Sequence, residues 1–247
     1  MSDVVRCHDL HFSYPDGRKA LRGITLDISA GGKVGLIGPN GAGKSTFLLH
    51  LNGLLTGAGD LEVCGLAVEK RNLTRLRQRV GLVFQNPDDQ LFLSTVAEDV
   101  AFGLIHAALG ESEVKDRVDH ALNAVGLPGF GTRATHTLSL GEKKRVSLAT
   151  VLSMDCELLA LDEPTSGLDP RGRGEVLRML RSIPATQLVA THDLELVAAL
   201  CERCIVMDEG RVVAQGATGE ILSDVDLLRR HGLLFSVLAG PLCEGHS

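Results

Sequence analysis

The chain has no tryptophan, one tyrosine and an aromatic content of 3%. That disfavours a stacking platform for single-stranded nucleic acid, which needs exposed rings. Positive charge is not in excess either. Lys and Arg number 25 against 31 Asp and Glu, a formal charge of −6, so the overall balance does not favour nucleic acid as a partner. No uninterrupted apolar stretch approaches the roughly eighteen residues of a membrane span. Residues 1–10, MSDVVRCHDL, lack the basic start and apolar core of a signal peptide. Six scattered cysteines are not needed as staples in a chain of 247 residues, so reduced thiols in a cytosolic protein are expected. Cys201 and Cys204 make a CxxC with no second pair, which is read as incidental.

What is present is the balance of a soluble globular protein, with 44% hydrophobic and 23% charged residues. Short β-prone runs at 4–10, 24–28 and 34–37 are separated by turns at 15–17 and 30–32. A helix is expected from Gly43, a strand over 80–84, and helices over 96–104 and 139–154. Between those two, a helix capped by Ser112 should run to a stop at Gly126, its apolar face formed by Val114, Val118, Ala121, Leu122 and Val125. Strands return at 158–162, 187–191 and 204–208. Apolar strands alternating with helices predict an α/β fold around a mostly parallel sheet. Residues 86–155 read as a helical insertion into it. The first 217 residues form one domain and 218–247 a short helical extension with a frayed end.

GPNGAGKS, residues 38–45, fits G-x-x-x-x-G-K-[ST], comes after an apolar strand and opens a helix. In such a loop Gly38, Asn40, Gly41, Ala42 and Gly43 bring backbone N–H groups to phosphates, aided by the helix N-terminus. Lys44 would neutralise β- and γ-phosphate charge, Ser45 would ligate Mg²⁺, and Thr46 continues the motif. LLALDEP, residues 158–164, leaves Asp162 at a strand end to hold Mg²⁺ and Glu163 to activate the attacking water.

The ordered set of Tyr14, GPNGAGKST, Gln85, LSLGEKKR (138–145), LLALDEP, SGLD (166–169) and His192 resembles the ATPase subunits of ATP-binding-cassette (ABC) proteins over about residues 3–217. The resemblance implies a P-loop ATPase with an N-terminal antiparallel β subdomain and an inserted helical subdomain, binding ATP and Mg²⁺. It implies that Tyr14 stacks on adenine and that Gln85 senses Mg²⁺ and the attacking water. Ser139, Gly141 and Glu142 would reach the γ-phosphate bound by a second copy, Asp169 would link the two sites, and His192 would touch γ-phosphate. The usual signature reads LSGGQ. Leu140 replaces its first glycine, tolerable only where φ is negative. Glu142 replaces its glutamine and sets a negative charge near an anionic ligand unless Lys143, Lys144 or Arg145 offsets it.

Among such proteins, DNA-repair ATPases carry a long coiled coil between phosphate loop and signature, and no sustained heptads occur here. Translation factors normally carry two cassettes and a basic surface, whereas this chain is acidic and has one. FQNPDDQLF, residues 84–92, and the FSYPDGRKAL segment look like the energy-coupling-factor subfamily of importers. That likeness implies a homodimer at the cytoplasmic face of the membrane, powering uptake of cobalt or nickel, with a vitamin as the alternative cargo. Asp88, Asp89 and Phe92 would meet arginine-bearing helices of a transmembrane coupling subunit, beside a substrate-specific membrane subunit.

Overall fold

The computed structural model describes residues 3–106 and 109–234. Its first part is an antiparallel sheet. Strands β1 (Asp3–Ser13) and β2 (Lys19–Ser29) form a long pair whose inward residues, among them Val5, Ile24 and Ile28, are buried. After β3 (Lys33–Ile37) and helix α1 (Lys44–Leu51), the chain returns to that sheet. There β4 (Ala58–Val63) pairs with β1, and β5 (Leu66–Ala67) with β4. The β4 sequence AGDLEV alternates only over its last four residues and is largely exposed, so its backbone pairing with β1 and β5 is what makes it a strand.

The core sheet comprises β6 (Val80–Val83), which comes directly after α2 (Leu73–Arg79), then β7 (Leu158–Asp162), β8 (Thr186–Thr191), β9 (Arg203–Asp208) and β10 (Arg211–Ala217), together with β3. Its order is β10-β9-β3-β8-β7-β6. All its pairings are parallel except β10 with β9. Strands β6, β7 and β8 are buried at every position, as both faces of a parallel sheet demand. Edge strand β10 alternates between half-buried and exposed and gives no comparable run.

Between β6 and β7 lie α3 (Val96–His106), α4 (Glu111–Ala124) and α5 (Leu140–Leu152), packed through Val100, Leu104, Leu122, Val146 and Leu148. The structure corrects the start of α4. Gly110 is the N-cap and Ser112 lies inside the first turn, where Glu111 and Glu113 favour the helix dipole. Gly126, with φ of 68°, ends it as expected. Helices α6 (Pro170–Ser182) and α7 (Leu194–Leu200) flank β8 in sequence.

Helices α8 (Thr218–Ser223) and α9 (Val225–Arg230) return to the body through buried Ile221 and Leu228, and His231 Nδ1 lies 2.8 Å from Asp208 Oδ2. The expected frayed end falls in residues 235–247, outside the described residues. Cys201 and Cys204 are buried and unpaired, and burial pushes both thiols up to about 12. Neither therefore offers a thiolate for metal or redox chemistry near neutral pH. Among the described residues no helix is long and apolar enough to cross a membrane.

Candidate active site

The segments that carry the expected chemistry leave the core sheet along one edge. Ile37 of β3 is in register with Thr191 of β8, Asp162 of β7 with Ala190, and Val83 of β6 with Leu161. The loops leaving these strands are thereby gathered at the carboxyl ends, where open parallel sheets bind ligands. A cavity of about 460 Å³ there is lined by Tyr14, Gln85, Asp162, Glu163, His192 and residues 40–46. Arg18, Lys19 and Ala20, within the FSYPDGRKAL segment, also line it, a role the sequence does not assign them.

Two glycines make the loop possible. A Cβ on Gly38 would lie 2.1 Å from Met207 O, a backbone atom that cannot step aside. Gly43 is the N-cap of α1 at φ 102°, and a Cβ there would meet Ala20 O at 2.6 Å. Gly38→Ala should therefore destabilise the fold by about 1–3 kcal/mol, read as a lower urea midpoint, and weaken nucleotide binding with it.

Lys44 is buried, and its Nζ donates to Gly38 O (2.6 Å) and Pro39 O (3.1 Å). Burial pulls its ammonium below the ordinary range while Glu163 and Asp162 push it back. Tyr14 Oη and Thr46 Oγ1 are hydrogen-bonded at 3.0 Å, and the Arg18 guanidinium lies 4.5 Å over the Tyr14 ring. The only tyrosine is thus tied to the phosphate-loop helix.

Burial raises the Asp162 carboxyl above the usual range, opposed by a hydrogen bond from Ser45. Its Oδ1 is buried without a partner. A carboxylate oxygen left unsatisfied beside a hydroxyl is the hard-oxygen donor set that a magnesium ion would complete. Glu163 has φ of 46°, a left-handed turn that costs energy for a side-chain-bearing residue. That turn carries its carboxylate to the end of β8. Thr191 Oγ1 donates to Oε2 (2.9 Å), His192 N donates to Oε1 (3.0 Å), and His192 Nδ1 lies 2.7 Å from Oε1. The His192 side chain is 60% exposed, so Nε2 is free to face a ligand while Nδ1 engages the acid.

The signature residues are not brought to this cavity. Ser139, Gly141, Glu142 and Asp169 line a separate one of about 390 Å³ that shares no residue with it. Ser139 caps α5 in a capping box: its Oγ accepts from Glu142 N (3.3 Å), and its own N and Oγ both donate to Glu142 Oε2 (2.8 Å each). Leu140 begins the helix with ordinary backbone and covers Gly167, 3.0 Å from where a Cβ would stand. Asp169 caps α6 by accepting from Gly172 N at 2.7 Å.

Of the three cations expected to offset Glu142, only Arg145 contributes, and less than Arg133 does. Arg133 pairs with it at 3.5 Å, whereas Lys143 goes to Asp88 (2.6 Å), Arg145 faces Glu175 (3.9 Å), and Lys144 turns inward. The hydrogen bonds from Ser139 are the main reason its carboxyl lies below the usual range, with Arg133 and then Arg145 adding to them.

Residues 84–92 divide their labour. Asn86 Oδ1 accepts from Asp88 N (3.2 Å), capping a tight turn opened by Pro87. Gln90 pins the segment by accepting from Phe84 N (3.1 Å) and donating to Ser147 O (3.0 Å) and Thr150 Oγ1 (2.7 Å). Asp99, a buried acid in no motif, accepts from Phe92 N and Leu93 N at 3.1 Å each. So held, Phe92 is 62% exposed with its ring edge-on to Phe102. Asp89, Phe92, Phe102 and Leu54 border an open groove of about 640 Å³. Asp88 does not line it, because its carboxylate is taken by Lys143.

A profile of the ABC transporter family matches residues 21–166. A putative ABC transporter ATP-binding protein of Streptomyces avermitilis is 52% identical over 225 residues, 91% of this chain and 86% of that one. The energy-coupling factor transporter ATP-binding protein EcfA of Methanothermobacter thermautotrophicus is 47% identical over 236 residues, 93% and 76% of the two. Among solved structures, cbiO1 of Clostridium perfringens, part of the ABC transporter complex cbiONQ, superposes with a TM-score of 0.81 at 38% identity, covering 94% of this chain and 96% of that one. A dimeric ATP-binding cassette bound to ADP and Pi gives a TM-score of 0.79 at 26% identity, with 87% and 98% covered.

Proposed function

The chain belongs to the ABC transporter family of ATP-hydrolysing subunits, and on that premise we propose that it powers an energy-coupling-factor importer as a homodimer with two ATP molecules at its interface. One observation carries the dimer: the phosphate loop and the signature line different cavities of the same chain. A second copy, turned to face the first, completes each site with its own Ser139 and Gly141.

In each site Lys44 and the backbone of residues 40–46 hold the phosphates, and Tyr14 supplies the face against the adenine. Ser45 and Asp162, with Gln85 beside them, would hold Mg²⁺, which neutralises phosphate charge when bound. Glu163 takes the proton of the attacking water. His192 keeps the acid aimed through Nδ1 and offers Nε2 toward the γ-phosphate.

The groove bordered by Phe92 and Asp89 is read as the seat of a helix from a transmembrane coupling subunit, which would hold the chain at the cytoplasmic face of the membrane beside a substrate-specific subunit. With Asp88 already paired, Asp89 supplies the charge and Phe92 the apolar socket. Cobalt or nickel is the cargo favoured by the resemblance of residues 12–21 and 84–92 to the energy-coupling-factor subfamily. A vitamin importer is the second reading, since the likeness to EcfA names no cargo. Affinity purification of the native complex tests the whole. Membrane subunits should co-purify, and vesicles reconstituted with them should take up cobalt or nickel only with ATP. A chain that purifies without any membrane subunit would contradict the importer. Phe92→Asp should weaken capture of those subunits by about 10–100-fold, the worth of one buried aromatic, and leave ATP turnover of the isolated chain unchanged.

A further inference from the structure

Lys144, near the end of the LSLGEKKR run, is a buried charge with no part in the chemistry assigned to the site residues. It sits in the second turn of α5, and only 4% of it is exposed. Its ammonium has three N–H donors, and the fold offers three acceptors: Glu163 O at 3.0 Å, Gln85 O at 3.1 Å and Ser166 Oγ at 3.3 Å. These belong to two segments, the loop after β6 and the turn from Glu163 to Ser166 that leaves β7 toward Asp169. Burial works against the ammonium, while Glu163 and Asp162 favour it.

The contact with Glu163 bears on geometry. Glu163 holds a left-handed backbone, and such a residue persists only where its surroundings over-determine it. Its carbonyl accepts from Lys144 Nζ, from Ser166 N (3.1 Å) and from Ser166 Oγ (3.0 Å), while its N–H donates to Ala190 O (2.8 Å). Lys144 also holds the hydroxyl of Ser166, and so touches two of the three donors on that carbonyl, itself included.

The structure assigns Lys144 as a positioning residue that fixes the Glu163 turn and the Gln85 loop from the helix carrying the signature. Ser139 and Lys144 ride on one rigid helix, Ser139 toward a partner's nucleotide and Lys144 toward the chain's own acid.

The inference rests on Glu163 being the group that activates water, so the test varies both residues in the dimer with ATP and Mg²⁺. Lys144→Met should lower kcat by about tenfold or more and move KM by less than about threefold. In a Glu163→Gln background the same substitution should cost much less, because there is no acid left to aim and only the Gln85 loop left to hold. Lys144→Gln, which keeps two N–H donors, should recover part of the loss, and this variant in the same two backgrounds decides the matter should Lys144→Met not fold. Parental kcat in Lys144→Met or Lys144→Gln, or an equal fold loss in the Glu163→Gln background, overturns the assignment. If Glu163→Gln itself turns over at the parental rate, the reading of the acid fails and takes this one with it.

Discussion

Glu163→Gln should bind ATP as the parent chain does and hydrolyse it about 10²–10⁴-fold more slowly, the usual worth of a positioned general base. The amide is nearly isosteric: its oxygen can still accept from His192 N, and its NH2, in the place of Oε2, can donate to Thr191 Oγ1 in a reversed hydrogen bond, so the turn at the end of β7 should survive. The substitution removes the capacity to accept a proton from water. Because ATP then persists, a dimer held by nucleotide should accumulate instead of cycling apart. Single-turnover hydrolysis and sedimentation with ATP and Mg²⁺ read the two consequences. A variant that hydrolyses at the parental rate would remove Glu163 from the chemistry.

Ser139→Arg should abolish nucleotide-dependent dimerisation and, with it, nearly all turnover. The hydroxyl caps α5 and lines a cavity that, in the proposed dimer, would receive another chain's phosphate. The longer side chain fills that space and removes the cap, worth about 1 kcal/mol to the helix. The first effect dominates, since the homodimer must close on two obstructed sites whatever the stability of its helix, whereas a pair with one such chain has only one obstructed site. Sedimentation with a non-hydrolysable ATP analogue should give monomer for the variant and dimer for the parent. A variant that dimerises normally would mean that α8, α9 or another surface holds the pair.

Much of this was legible in the sequence because its signals are local. The phosphate loop needs glycines at fixed offsets for steric reasons, and the collision a Cβ on Gly38 would have with Met207 O is that reason in atomic form. The strand over 158–162 was legible because burial on both faces requires an unbroken apolar run. The rest depended on pairing across the chain. The alternation in AGDLEV is too short to mark β4, which is a strand because β1 and β5 lie beside it. Ser112 looked like a cap, yet a flexible Gly110 with acids directly after it set the helix start two residues earlier than the hydroxyl suggested.

Charge was the least legible quantity. The run Lys143, Lys144 and Arg145 read as counterions for Glu142, its neighbour in sequence. In the helix these side chains point different ways, and Arg133, nine positions upstream, makes the salt bridge instead. Asp88 and Asp89 read as a pair with one role. The capped turn at Asn86 separates them, giving Asp88 to Lys143 and Asp89 to the groove. Side-chain direction on helices and tight turns, not residue type, decided each case.

The central claim is that each ATP site is built from two chains, and mixing two inactive variants tests it most directly. Lys44→Ala removes the phosphate-loop cation and Ser139→Arg blocks the signature, so neither homodimer has an intact site. Combined in equal amounts with ATP and Mg²⁺, they form a heterodimer in which one site joins the intact phosphate loop of the Ser139→Arg chain to the intact signature of the Lys44→Ala chain. ATP turnover of the mixture should rise well above that of either variant alone. A mixture as inactive as its components would contradict the composite site.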